Sequence, residues 1–333
     1  MAKRVKIIGG GGSYFAAPKT NLHFIGSGCK NLDLALGGGW AEDRVINIVG
    51  DKATGKTLLC IEMCANFVLS RPKGKVRYRE AESAFDKPYA KTLGMPLDRV
   101  DFGDEQLETV EDMFEDLERI IKGARSQELV VVDSLDSLSS RAESDRDIDA
   151  ASYGGEKAKK LSEMFRRLIR QMHDKHVTLV IISQIRDKIG ATFGRKFQRT
   201  GGRALDFYAS QVVMLAHLGQ LAGTTRGIKV ATGVKVKAKV DKNKVGLPFR
   251  EAEFNIRFGY GIDDAQACIN WLTQIKALKQ TGITPEQGKF YLRHLLDMPR
   301  DEADAQLKLL RDTVQREWYE IEESMLPSRS KYA

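Results

Sequence analysis

Apolar residues in this chain fall into two kinds of run. Short, nearly unbroken stretches, VINIV (45–49), ELVVVD (128–133) and VTLVIIS (177–183), read as strands buried on both faces. Between them lie longer stretches with helical spacing. One runs from Lys56 to about Ser70 and is closed by Pro72, and a second is acidic and amphipathic over 107–122. In a third, Leu161, Met164, Phe165, Leu168, Ile169 and Met172 recur every three or four residues and form one stripe. KVRYREA (75–81), QVVML (211–215) and GVKVKAKV (233–240) add strands. From 234 to 240 the even positions are Val, Val, Ala and Val while the odd ones are lysines, which predicts one solvated lysine face.

Strands alternating with helices predict an α/β fold with a largely parallel central sheet flanked by helices. From residue 263 the pattern is helical without a further strand run, so a small helical C-terminal domain is expected over 263–333. Residues 1–24 hold four consecutive glycines at 9–12 and read as an arm, a possible oligomerisation segment. Two stretches lack any period. Residues 141–152 carry dense mixed charge and read as a mobile loop. Residues 184–210 are rich in Gly, Arg and Lys, and a loop that long inside a compact domain is usually functional.

Composition narrows the class. The 333 residues carry 53 Lys and Arg against 45 Asp and Glu, a net charge of +8, so a polyanionic partner and a merely basic enzyme are both open. No run reaches the roughly 18–20 apolar residues of a membrane span, and the start, without an apolar stretch of about 7–15 residues, leads us to expect no secretory signal. The four cysteines form no CxxC pair, which suits a reducing cytoplasm. Cys60 and Cys64, one turn apart, read as core. His173 and His176 lack partners at zinc-ligand spacing.

Chemistry enters at residues 50–57, GDKATGKT, which fit G-x-x-x-x-G-K-[ST] between a strand and a helix. Gly50 and Gly55 let the backbone of Asp51, Lys52, Ala53 and Thr54 wrap a phosphate closely. The helix start at Lys56, Thr57 and Leu58 adds N–H groups and the positive dipole end. Lys56 supplies a point charge for the β- and γ-phosphates, and Thr57 a hydroxyl for Mg²⁺. Asp133, ending the LVVVD strand, reads as the second group on the metal side, or otherwise as a helix cap. Hydrolysis also needs a group that activates water. By position Glu82 is the best candidate and Glu80 the nearby alternative, and spacing alone does not choose between them.

Several stretches together resemble the RecA-type DNA recombinases. They are NLDLALGGGW (31–40), GDKATGKT, REAESAFDKPYAKTLGMPLDRV (79–100), LVVVDSLDSL (129–138), SQIRDKIGATFG (183–194), RTGGRALDFYAS (199–210) and VDKNKVGLPFREAEF (240–254). The resemblance covers about residues 25–262 and implies a RecA-like P-loop ATPase and DNA-binding core. Glu82 then falls on the water-activating glutamate, and Asp86 and Tyr89 on adenine contacts. Gln184 falls on the γ-phosphate sensor, beside Ser183 where the family commonly has asparagine. Lys242 and Lys244, just past the lysine-faced strand, fall on the two lysines that reach the γ-phosphate of a neighbouring subunit. Without the resemblance they would read equally well as a basic strand tail. Phe258 falls on an aromatic that packs on the adjacent nucleotide.

Segments 141–154 and 185–210 match the family's two DNA loops. Ile189 falls on an apolar wedge between base triplets, and Arg186, Phe193, Gly201, Gly202 and Arg203 on or beside backbone-contacting positions. Cations for phosphates, glycines for close approach and an apolar wedge suit that task. The implied protein binds ATP and Mg²⁺ between subunits and forms a helical homo-oligomeric filament on single-stranded DNA. It pairs that strand with homologous double-stranded DNA, with hydrolysis stimulated by DNA, in a bacterial or phage-infected cytoplasm. The short arm and the end SRSKYA, without an acidic tail, resemble phage-encoded more than chromosomal members. A ring-forming motor on the same core, or a DNA-coating regulatory ATPase, are the alternatives that a shared fold leaves open.

Overall fold

The computed structural model describes residues 22–83, 85–104, 106–144, 156–187, 197–199, 202–289 and 291–327. The described residues open with β1 (Phe24–Ile25), α1 (Lys30–Leu36) and β2 (Trp40–Ala41), the two strands pairing antiparallel. It then alternates through β3 (Val45–Gly50), α2 (Lys56–Ser70), β4 (Lys75–Glu80), α3 (Lys87–Thr92), β5 (Val100–Asp101) and α4 (Val110–Gly123). The alternation continues through β6 (Glu128–Asp133), α5 (Arg141–Ser144), α6 (Glu156–Asp174) and β7 (Val177–Asp187). Next come β8 (Phe197–Arg199), α7 (Gly202–Tyr208) and the long hairpin of β9 (Gln211–Thr225) and β10 (Ile228–Asn243). The chain then runs through β11 (Glu251–Arg257), β12 (Gly261–Asp263), α8 (Asp264–Gln274), α9 (Tyr291–Leu296) and α10 (Arg300–Ser324).

The sheet runs β12-β11-β10-β9-β3-β7-β6-β4-β5, with β8 on the side of β7. From β9 to β5 every pairing is parallel, whereas β10, β11 and β12 extend the sheet antiparallel. This is the α/β fold with a largely parallel sheet that the pattern predicts. The unbroken apolar strands divide by parity between two layers. Ile46 and Ile48, Leu129 and Val131, and Val180 and Ile182 face α2. Val45 and Val49, Val130 and Val132, and Leu179 and Ile181 face α4 and α6.

Helix α4 starts on a reciprocal cap: Thr109 Oγ1 accepts from Asp112 N–H and Asp112 Oδ2 from Thr109 N–H. At the other end of the chain Leu310, Val314 and Trp318 of α10 join the α2-side layer, with Trp318 stacked on Trp271 at 5.6 Å. Ion pairs Arg250–Glu322 and Arg311–Asp264 fasten the same helix.

The hairpin departs most from the sequence expectation. Its arms extend well beyond QVVML and GVKVKAKV. Past Leu215 on β9 and before Gly233 on β10 the residues are mostly exposed, so no buried face imposed an apolar alternation that could be read. The predicted lysine face does lie outward, and there Lys235 pairs with Glu253 and Lys237 with Glu251 of β11. Lys242 sits inside β10 rather than past its end. A bulge at Asp241 shifts the register between Val240 and Lys242. Helix α7 and the strand β8 occupy part of the stretch expected to be one aperiodic loop.

Candidate active site

Strand β3 delivers the backbone to the phosphate loop, whose path is shaped by two glycines. At Gly50 an added Cβ would lie 2.6 Å from Thr54 Oγ1. Gly55, with φ +87°, occupies the left-handed region at the N-cap of α2. Thr54 Oγ1 and Lys56 Nζ both donate to the Asp51 carbonyl, at 2.8 and 2.7 Å. Lys52 N–H donates to Asp51 Oδ1, Ala53 has φ +56°, and Leu58 buries its side chain in the layer below. Thus Gly50, Asp51, Lys52, Ala53, Thr54, Gly55, Lys56, Thr57 and Leu58 form one loop-to-helix unit. The first N–H groups of α2 have no intrahelical acceptor and face into it.

Parallel strands bring the acids to the same edge. Thr57 Oγ1 donates to Asp133 Oδ2 at 2.8 Å, and so does the Tyr78 hydroxyl at 2.7 Å. Glu82, exposed just past β4, accepts from Ser134 Oγ at 2.5 Å and from Gln184 Nε2 at 3.1 Å. Gln184 N–H donates to Asp136 Oδ2 at 2.6 Å. Lys56, Thr57, Glu82, Asp133 and Gln184 are therefore gathered from α2, β6, β7 and the end of β4. Glu80 uses an oxygen on Glu82 N–H at 2.8 Å. Tyr78, Ser134 and Asp136 were not singled out from the sequence.

The charges are mutually tuned. Burial pulls the Lys56 ammonium below the ordinary lysine range, opposed by Asp133, Glu82, Asp136 and Asp51. Burial pushes the Asp133 carboxyl above the ordinary aspartate range, opposed by the donors Tyr78 and Thr57. A hydroxyl and a carboxylate 2.8 Å apart at a helix N-terminus are hard oxygen donors of the kind Mg²⁺ takes together with phosphate oxygens. The residues present fit that ion. Among the described residues no three His, Cys, Asp or Glu cluster to hold a metal by themselves.

Other candidate residues lie apart from this group. Asp86 caps α3, its Oδ1 accepting from Tyr89 N–H at 2.8 Å, with Tyr89 half-buried beside it. Phe258 is exposed between β11 and β12. Lys242 Nζ donates to the carbonyls of Asp206 and Phe207, at 2.5 and 2.9 Å, and Lys244 Nζ to that of Phe207 at 3.2 Å. Both lysines thereby meet the C-terminal end of α7, where cations suit the helix dipole. Gly202 and Arg203 begin α7, and Arg186 lies in β7. Ile189, Phe193 and Gly201 lie outside the described residues, as do 145–155 of the segment expected to be the first DNA loop and the expected arm through residue 21.

A family model described as the RecA N-terminal domain matches residues 10–263. The chain is 35% identical over 275 residues to Protein RecA of Nostoc punctiforme, covering 83% of this chain and 72% of that one. It is 36% identical over 265 residues to Protein RecA of Campylobacter jejuni subsp. doylei, covering 78% and 73%. Identity to Protein RecA of Synechococcus sp. (strain WH7803) is 33% over 275 residues, covering 83% and 68%. No helix of the described residues is long and apolar enough to cross a membrane.

Proposed function

This chain belongs to the RecA family, and on that premise we propose that it is an ATP-dependent recombinase. In this reading it forms filaments on single-stranded DNA, hydrolyses ATP at subunit interfaces under DNA stimulation, and pairs the bound strand with a homologous duplex. One observation carries the reading: an unbroken polar path runs from the phosphate loop to the strand entering the 188–196 segment. Thr57 meets Asp133, Ser134 follows it and donates to Glu82, and Glu82 accepts from Gln184, three residues before β7 ends.

Each residue has a task on this path. The loop N–H groups and Lys56 hold the β- and γ-phosphates, and Thr57 with Asp133 would hold Mg²⁺, which supplies charge neutralisation on the phosphates when bound. Glu82 orients water and takes its proton, and its two donors fix the carboxylate until then. Gln184 shares Glu82 with the site and shares its backbone with the strand leading to the DNA-facing segment. It can therefore report γ-phosphate occupancy there. Asp86, Tyr89 and Phe258 provide contacts for the base. Arg186, Ile189, Phe193, Gly201, Gly202 and Arg203 are the proposed DNA contacts.

The position of the lysine pair supports a site shared between copies. Lys244 N–H donates to the Ser210 carbonyl, and Ser210 N–H donates to that of Val45, so the pair sits by the start of β3. The phosphate loop leaves the opposite end at Gly50, some ~17 Å along the strand. A lysine side chain does not bridge that span, so Lys242 and Lys244 suit a neighbour's γ-phosphate. The test is imaging on single-stranded DNA with a non-hydrolysable ATP analogue, together with turnover measured with and without DNA. Helical filaments and DNA-stimulated turnover are expected, whereas closed rings or DNA-independent turnover would contradict the proposal.

A further inference from the structure

Tyr78 is fully buried in the middle of β4, yet its hydroxyl reaches a carboxylate that also meets the start of the phosphate-loop helix. The register explains how. Tyr78 pairs with Val131 and Glu80 with Asp133, so Tyr78 and Asp133 are diagonal neighbours on adjacent parallel strands. Leu129 and Val131 face α2, and strand parity puts Asp133 on the same face. A tyrosine is long enough to span that diagonal. Its ring is wedged at centroid distances of 4.6 Å from Phe85 and 6.0 Å from Phe102, which are themselves 5.6 Å apart. Packing on that scale leaves the phenol little freedom to swing away.

From this geometry we infer that Tyr78 is a positioning residue for the metal-side carboxylate, holding Asp133 in the orientation that serves Mg²⁺·ATP. The Tyr78 hydroxyl and Thr57 Oγ1 converge on the same oxygen, Oδ2, at 2.7 and 2.8 Å, and neither claims Oδ1. Two donors on one oxygen fix the carboxylate plane, and the donors differ in character. Thr57 belongs to the phosphate loop, while Tyr78 belongs to the rigid sheet. Tyr78 therefore ties the loop-side geometry to the core. Its ring also abuts Phe85, one residue before Asp86, so the same side chain braces the segment that carries Glu82. A simple packing role would be met by a phenyl ring. The hydroxyl is what the inference concerns, and groups behind a metal-side ligand typically change metal affinity when removed.

The inference rests on the nucleotide site proposed above, and the test separates the two. Tyr78→Phe keeps the ring and removes one oxygen. A fluorescent ATP analogue is titrated into wild type and variant in chelator, and then against rising Mg²⁺ at fixed nucleotide, with thermal unfolding of the nucleotide-free proteins alongside. The expected result is a half-saturating Mg²⁺ concentration raised roughly tenfold, with metal-free nucleotide binding and the thermal midpoint little changed. An unshifted Mg²⁺ response overturns the inference. So does a loss of metal-free and metal-dependent binding in equal measure, which would make the phenol a packing group only. A wild type that binds no nucleotide overturns the proposed function and this inference together. A normal wild type beside an unshifted variant overturns this inference alone.

Discussion

At one end of β3 the chain turns through Gly50–Thr57 into α2, and carboxylates from neighbouring parallel strands converge there. At the other end, reached through Ser210 and Lys244, the antiparallel extension brings in two lysines. The first end is internally connected, each polar group engaged by another of the same site. The second end ties its cations to the end of α7, the helix that follows the proposed second DNA loop. Parallel strands collect functional groups at their carboxyl edge, whereas the added antiparallel strands return to the opposite edge. A single copy thus separates what the proposed chemistry needs together, and the proposed head-to-tail stacking of copies would reunite them.

Substitutions at the two ends should break this comparison differently. The largest effect is expected from Glu82→Gln, which removes the proposed base and leaves the phosphate loop intact. Turnover should fall by roughly 10²–10⁴-fold with nucleotide binding retained, as read by a coupled ATPase assay and direct titration. Lys56→Ala should instead cost nucleotide binding itself, and ATP-dependent assembly on DNA with it; undiminished filaments by electron microscopy would show that the loop is not the assembly switch. Replacing Lys242 and Lys244 together by Ala should lower DNA-stimulated turnover by about 10²-fold while isolated copies still bind nucleotide. Loss of nucleotide binding by the dilute double variant would place the lysines in their own copy's site.

Smaller effects sharpen the picture. DNA affinity should fall with salt, with a log–log slope of about −0.7 per phosphate neutralised on single strands. Away from both ends, Asp33 beside Ser27, Lys30 and Asp264 has its carboxyl pushed by burial from an ordinary 3.8 to about 7. A raised carboxyl favours its protonated form in the folded state. The stability it contributes is complete below the ordinary value and is lost as pH rises towards about 7. Asp33→Asn retains an acceptor for Ser27 N–H and cannot ionise. It should raise the thermal midpoint by a few degrees at pH 8, with the difference shrinking towards acid pH.

The two regions also differ in how much of them could be read beforehand. In the parallel half, burial on both faces writes itself into the sequence as apolar runs, and ELVVVD appears in the structure with the bounds it suggested. The glycines at 50 and 55 were equally legible as positions of close approach, since an added Cβ would lie 2.6 Å from Thr54 Oγ1 at the first and 2.3 Å from Ile256 Cδ1 at the second. The hairpin was legible only where β9 and β10 cover the core; beyond Leu215 solvent accepts either parity. The bulge at Asp241 had no local marker, so Lys242 was expected outside its strand. Tyr78, Ser134 and Asp136 depend on contacts between separate strands, which periodicity does not encode. Setting Glu80 aside in favour of Glu82 needed the family resemblance, since spacing alone does not choose between two acids two residues apart.

Mixing two inactive variants tests the shared site most directly. Glu82→Gln copies keep their lysines, and copies with Lys242 and Lys244 replaced keep their glutamate. If the site spans two copies, an equimolar mixture on single-stranded DNA should recover about a quarter of wild-type turnover, the share of head-to-tail interfaces that join an intact half from each. A mixture that co-assembles yet stays as inactive as either variant alone would contradict the account.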